Sequence, residues 1–210
     1  MKVLLLNASP HKEGCTYTAL KIILDELNKE GIEGEIFYAR ANVLPCKACY
    51  ACSKLGRCVI ENDKVNEFVE KAASADGFIF GSPVHYASAS AILSSFLDRA
   101  FFSAAKSGKN VFRLKPAAAV VSARRAGTTA TIDEINKYFA ISEMPIISSR
   151  YWNMVHGNSP DEVLKDAEGV QIMKILAKNM AYYLKLKEAG LKLGIKEPEK
   201  ETATMTNFIR

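Results

Sequence analysis

Short apolar runs of strand length alternate with amphipathic helical stretches along almost the whole chain, and that alternation fixes the fold class. Lys2–Asn7 is bounded by Ala8-Ser9-Pro10 and reads as a buried parallel strand. Leu20, Ile23, Leu24 and Leu27 recur at i, i+3, i+4 and i+7, so they share one face of a helix that stops at Gly31. Residues 35–39 read as a second strand, and Val65, Phe68, Val69 and Ala72 mark a short helix. Residues 77–81 form a third strand between glycines. A helix over 89–102 follows, with Ile92, Leu93, Phe96 and Leu97 inward. A fourth strand at 117–121, a helix at 131–141 and a fifth strand at 144–148 complete the alternation. A long final helix over 161–189 starts behind Ser159-Pro160, a favourable cap arrangement. Strands interleaved with helices in this way predict an α/β fold, with a parallel sheet, right-handed crossovers and helices on both faces. Such sheets take ligands at the C-terminal strand ends, near the point where strand order reverses. No repeat, linker or change of composition divides the chain, so one domain is expected over residues 1–190, with a polar tail at 191–210.

Composition narrows the function classes. Apolar residues make up 49% of the chain and charged residues 24%, enough for an ordinary core without staples. The apolar run Val3-Leu4-Leu5-Leu6 is too short for a secretory leader, and no run is long enough to span a bilayer, so a soluble cytoplasmic protein is expected, without a membrane partner. The net charge of +5 comes from scattered residues that do not interleave with aromatics, which argues against a nucleic-acid partner. A mild positive excess instead suits phosphorylated cofactors.

Three strand-end loops carry candidate ligand-binding residues. The first supplies Ser9, His11, Gly14, Cys15, Thr16, Tyr17 and Thr18 ahead of a helix N-terminus, where unpaired N–H groups welcome an anion. The helix terminus alone contributes about 0.3–2 kcal/mol. Micromolar binding needs about 8 kcal/mol. Hydrogen bonds to a charged group, at about 1.5–3 kcal/mol each before desolvation, must therefore do most of the work, and a loop dense in Ser and Thr provides them. The same residues could equally cap a helix and make a turn. The loop lacks G-x-G-x-x-G, which argues against a plain dinucleotide site.

The second loop holds Pro83, Val84, His85, Tyr86 and Ser88. Tyr86 could flank an aromatic ring, Ser88 could cap the next helix, and His85 is either an acid–base group or a structural hydrogen-bonding residue. The third loop holds Ser122, Arg124, Arg125, Gly127 and Thr128. Its arginine pair is either solvated or placed to neutralise an anionic ring or a phosphate. The three loops share the C-terminal strand ends, and that coincidence is stronger than any one of them.

Together these residues resemble the NADPH-dependent FMN reductase family of the flavodoxin-like superfamily, over residues 1 to about 157. The family pattern G-S-P-R-x-x-G-N-T stands here as Ala8-Ser9-Pro10-His11-Lys12-Glu13-Gly14-Cys15-Thr16, with Ala8, His11 and Cys15 as departures. A second motif stands as Gly81-Ser82-Pro83-Val84-His85-Tyr86, then Phe96-Leu97-Asp98-Arg99. The resemblance implies a doubly wound five-stranded sheet in the order 2-1-3-4-5. It implies FMN, with its phosphate in the 9–18 loop and its ring cradled by loops 82–88 and 122–129. It also implies a homodimer or homotetramer, with residues 149–157 at the interface or simply packed after the fifth strand. On this reading the flavin carries the chemistry and no side chain is a nucleophile. NAD(P)H or ferredoxin would donate electrons to it. Tyr86, Arg124, Arg125 and Trp152 would shape the face for a quinone, azo, nitro or enoate acceptor.

Four of the five cysteines fall in Cys46-x2-Cys49-x2-Cys52-x5-Cys58. Such spacing can wrap a [4Fe–4S] cluster, and it resembles the compact motif of the iron–sulfur flavoproteins in the same superfamily. Free or oxidisable thiols are the competing reading. Zinc, which favours two separated ligand pairs, fits less well. An electron-transfer module and a cysteine-based redox sensor are therefore alternatives to a reductase.

Overall fold

The computed structural model describes residues 1–40 and 42–208; Ile209 and Arg210, which end the expected tail, lie outside the described residues, as does Ala41. The first strand is β1 (Lys2–Asn7), buried from Val3 onward. It pairs in parallel with β2 (Glu33–Tyr38) and β3 (Gly77–His85), and β3 continues to β5 (Ala117–Ala123) and then β6 (Met154–His156). The parallel path is β2-β1-β3-β5-β6, and the two-residue β4 (Ser88–Ala89) folds back antiparallel on the end of β3.

Side chains alternate across the sheet with period two. Leu4, Leu6, Phe78 and Phe80 meet α3 (Val65–Ser74), α4 (Ala91–Lys106) and α5 (Thr128–Ile141). Val3, Leu5 and Ile79 meet α1 (Cys15–Lys29) and α7 (Ala167–Lys192) on the other face. The first face is aromatic: Phe68 stands edge-on to Phe37 and Phe96, with ring centres 5.4 and 5.2 Å apart.

Two expectations are corrected. The fifth strand expected at 144–148 is not a regular strand. That segment contains Pro145, which has no N–H to give a ladder. It touches the sheet through one isolated bridge, Ala117 to Ile146, with the Ala117 N–H bonded to the Pro145 carbonyl at 2.9 Å. The edge position is taken by β6, eight residues further on from Ile146 to Met154. The long final helix is also broken, into α6 (Pro160–Lys165) and α7, at Asp166. The Asp166 carboxylate accepts the Gly169 and His156 N–H groups at 2.9 and 2.7 Å, so it caps a new helix instead of continuing the old one. The expected third strand is longer than its apolar core, and α7 runs past residue 190 into the expected tail. Among the described residues no helix is long and apolar enough to cross a membrane.

Candidate functional site

The ends of β1, β3 and β5 bring the three loops together. After β1, the buried Asn7 side chain folds the chain back. Its Oδ1 accepts the Ser9 N–H at 3.1 Å and its Nδ2 donates to the Lys12 carbonyl at 2.9 Å. Ser9 Oγ accepts the His11 N–H at 3.1 Å. Helix α1 then begins at Gly14, with no side-chain cap and no acidic residue in its first turn. Its leading N–H groups thus have no side-chain cap, the arrangement that an anion site requires. Thr18 Oγ1 donates to the Gly14 carbonyl at 3.1 Å. Thr16 Oγ1 and Ser122 Oγ, both buried, share a 2.8 Å bond that ties the first loop to β5. Of the expected phosphate residues, Ser9 and Thr16 are therefore buried parts of the frame. Gly14, Cys15, Tyr17 and Thr18 are part-exposed and His11 is exposed. Cys15 Sγ lies 3.6 Å from the Gly157 carbonyl, and burial pushes its thiol above the ordinary cysteine value.

Ser90, not Ser88, caps α4: its Oγ accepts the Leu93 N–H at 3.2 Å and donates to the Ala8 carbonyl at 2.9 Å. Ser88 turns to Glu134 of α5. Glu134 Oε2 accepts from Ser88 Oγ and the Ala89 N–H at 2.5 and 2.8 Å, and Oε1 accepts from Ser94 Oγ at 3.1 Å. The Val84–Ala89 hairpin turns on Tyr86 and Ala87, both with positive φ (49° and 60°). Left-handed backbone at non-glycine residues costs about 1–2 kcal/mol each, so outside bonds must hold the turn. Tyr86 and His85 are exposed, Pro83 and Val84 half-buried. The third loop meets this turn: Gly127 has φ +93°, and a Cβ there would stand 2.7 Å from Ala87 Cα. Arg124 and Arg125 are exposed and Thr128 is buried. Trp152 is half-exposed just before β6, edge-on to Tyr151 at 4.5 Å.

Glu134 carries a prediction. Burial opposes its charge, but the bonds from Ala89, Ser88 and Ser94 win and lower its pKa. A carboxylate depressed in the fold contributes stability above its unfolded pKa of about 4.3 and loses it as pH falls through the folded value. Glu134→Gln, which keeps the shape and removes the charge, is expected to cost about 1–2 kcal/mol at neutral pH, the difference between charged and neutral hydrogen bonds. It should also flatten the acid limb of the thermal midpoint against pH. An unchanged acid limb would mean that Glu134 does not hold the hairpin.

The four clustered cysteines line one pocket, closed by Arg99, Phe102 and Ser103 of α4. Cys46 and Cys49 are exposed, Cys58 is part-buried, and Cys52 is buried at the start of α2 (Cys52–Leu55). Ala48 and Tyr50, each next to Cys49, have left-handed backbone at φ 49° and 56°. That places two strained residues in the short arc between Cys46 and Cys52, the kind of concave backbone seen at anion and Fe–S sites. The Tyr50 ring meets Phe102 edge-on at 5.5 Å. Asn66 pins the Cys58 backbone, accepting its N–H at 3.0 Å and donating to its carbonyl at 2.9 Å. Among the described residues no three or more His, Cys, Asp or Glu side chains already stand in a metal-holding arrangement. The donor chemistry nevertheless fits an Fe–S group, with four thiols on one pocket and a buried guanidinium beside them.

Arg99, which closes the Phe96-Leu97-Asp98-Arg99 motif, lies against the cysteines. It is 1% exposed. Its Nε donates to Cys58 Sγ at 3.3 Å, Nη1 to the Leu44 carbonyl at 3.2 Å and Nη2 to the Ile60 carbonyl at 2.9 Å; Nη1 also pairs with the Asp63 carboxylate. A signal was present: Arg99 falls three residues after Phe96, on the inward face of its helix.

A doubly wound sheet with an anion-ready first loop and an aromatic-tipped hairpin at the strand ends defines a flavodoxin-like protein. Solved structures share that fold. A flavodoxin from the domain Archaea has a TM-score of 0.58 at 13% identity, covering 88% of this chain and 99% of its own. A flavodoxin, WrbA-like protein from Agrobacterium tumefaciens has a TM-score of 0.62 at 10% identity, covering 88% and 97%. The chain belongs to the NADPH-dependent FMN reductase family, whose model matches residues 1–159. It is similar to an iron–sulfur flavoprotein of Methanocaldococcus jannaschii, 32% identical over 196 residues that cover 89% of this chain and 98% of the relative. The iron–sulfur flavoprotein of Methanosarcina thermophila is 28% identical over 188 residues, covering 89% and 96%. The protein is an FMN-dependent oxidoreductase.

Proposed function

We propose that the chain works as an iron–sulfur flavoprotein, with FMN at the strand ends and a [4Fe–4S] cluster on Cys46, Cys49, Cys52 and Cys58. Electrons would enter from a reduced nicotinamide or ferredoxin and leave to a small acceptor. The observation that carries this reading is the single pocket lined by all four thiols. The names of the relatives support it.

FMN, when bound, supplies both one- and two-electron chemistry, which suits it to join a hydride donor to a one-electron centre. The chain's own residues bind and orient. The first-turn N–H groups of α1, with Tyr17 beside them and Thr18 bracing the Gly14 carbonyl, would take the phosphate. The Val84–Ala89 hairpin and the loop of Gly127 packed against it would together cradle the ring, and Arg124 and Arg125 would offset its negative charge. Tyr86 and Trp152 are exposed aromatic surfaces for an acceptor. Exposure of Cys46 and Cys49 favours a second reading, in which the thiols are free and redox-active.

Iron and acid-labile sulfide, assayed anaerobically on the same sample as the absorbance spectrum, separate the two. About four irons and four sulfides per chain are expected beside the flavin bands, and Cys52→Ser should lose most of both. Flavin bands without iron would reject the cluster and leave the thiol reading. No flavin after reconstitution with FMN would reject both.

A further inference from the structure

The guanidinium of Arg99 is committed to four partners, and three of them are enough to hold the cysteine segment against α4. The Leu44 and Ile60 carbonyls and the Asp63 carboxylate lie on chain segments that flank the cysteines on both sides. The fourth bond, Nε–H to Cys58 Sγ at 3.3 Å, adds little to that clamp. A neutral thiol is a weak acceptor, whereas a charged donor suits a sulfur that carries negative charge. We propose that Arg99 is a positioning residue for an iron–sulfur centre, one that orients Cys58 as a ligand and raises the centre's reduction potential through this bond and its charge. The inference rests on the cluster reading above.

The direction follows from electrostatics. An added electron makes the centre more negative, so an N–H···S bond and a nearby cation both strengthen on reduction. Hydrogen bonds to sulfur and local charge are among the quantities that set such potentials. The Arg99 and Asp63 side chains are 0% and 4% exposed, so water and salt screen their fields poorly. Asp63 carries the opposite charge and must act in the opposite sense. Removing either member of the pair should therefore move the potential in opposite directions, which a purely structural clamp would not do.

The test is an anaerobic redox titration of the FMN-loaded holoprotein, with the reduced cluster followed by electron paramagnetic resonance. Arg99→Lys keeps a cation but loses the Nε donor. At a fixed ambient potential its ratio of reduced to oxidised cluster is expected to fall about tenfold, a downward shift of about 59 mV for one electron. Asp63→Asn is expected to shift the ratio upward. Full iron with unshifted potentials, or shifts of the same sign, would overturn the proposal. If Arg99→Lys loses its iron, the sign in Asp63→Asn decides: upward supports the assignment, and unmoved or downward overturns it. Iron loss from both variants would reduce Arg99 to a clamp and overturn it as well. Wild-type protein with flavin but without iron would fail the cluster reading itself and take this inference with it.

Discussion

An Arg99→Met protein is expected to lose about 3–5 kcal/mol of unfolding free energy, the usual cost of breaking a buried pair by removing one partner. Whole domains have only about 5–15 kcal/mol to lose, so this is a large share. Methionine fills much the same space, and the loss therefore reports polarity rather than a cavity. Asp63 would be left charged at 4% exposure, the Leu44 carbonyl would lose its Arg99 donor, and the Ile60 carbonyl would keep only Asn66 Nδ2, at 3.3 Å. Adding Asp63→Leu removes the orphaned charge and should recover part of the loss. It cannot return the lost donors to the Leu44 and Ile60 carbonyls, and it takes the Asp63 acceptor from the Val65 N–H, so a residue of about 1–3 kcal/mol should persist. Urea unfolding of the single and double variants, run anaerobically, measures both steps. A single variant within about 0.5 kcal/mol of wild type, the ordinary spread of surface substitutions, would mean that the cysteine segment is held by something other than Arg99.

Most of the fold was legible because its strands are buried on both faces and so read as unbroken apolar runs. Val3 to Leu6 and Ala117 to Val121 are of this kind, and all are buried. The edge was not legible in the same way. A three-residue strand such as β6 leaves almost no pattern, while Met144 to Ser148 carries a better apolar run and a proline that disqualifies it. The final helix looked continuous because its apolar spacing carries across Asp166. Only the side chain's competition for backbone N–H groups, a tertiary fact that includes His156, breaks it.

The site divides similarly. The three loops could be assembled from strand order alone, because this architecture directs ligands to the strand ends. The hairpin after β3 could not, since its turn residues are Tyr86 and Ala87 and not the Asn, Asp or Gly that such turns advertise. Ser88 and Ser90 are equally good caps by type, and Glu134, forty-six residues from Ser88, decides between them by taking the Ser88 hydroxyl. The cysteines announced themselves by spacing. Arg99, which ties the last of them to its helix, looked like the end of a family motif. A buried arginine has no sequence signature beyond its place on an apolar face.

Gly127→Val is expected to weaken FMN binding at least about a hundredfold, near 2.7 kcal/mol. Gly127 has φ +93°, which a β-branched residue resists. Its Cβ would also stand 2.7 Å from Ala87 Cα and 2.8 Å from Val84 Cγ1, and the first of these is backbone that cannot rotate away. The hairpin has little room to yield, because Glu134 fixes Ser88 and the Ala89 N–H while Ala87 is already left-handed. The two loops must therefore part, and the surface that they form together is where the ring is proposed to sit. Ala and Asn separate the causes. Asn tolerates left-handed backbone, so it should restore binding if conformation governs. Both carry the offending Cβ, so both should stay weak if the contact governs, and contact is the expected result. Quenching of FMN fluorescence on titration measures affinity, and circular dichroism checks that the sheet survives. A folded Gly127→Val protein with wild-type affinity would remove the ring from the surface formed by these loops.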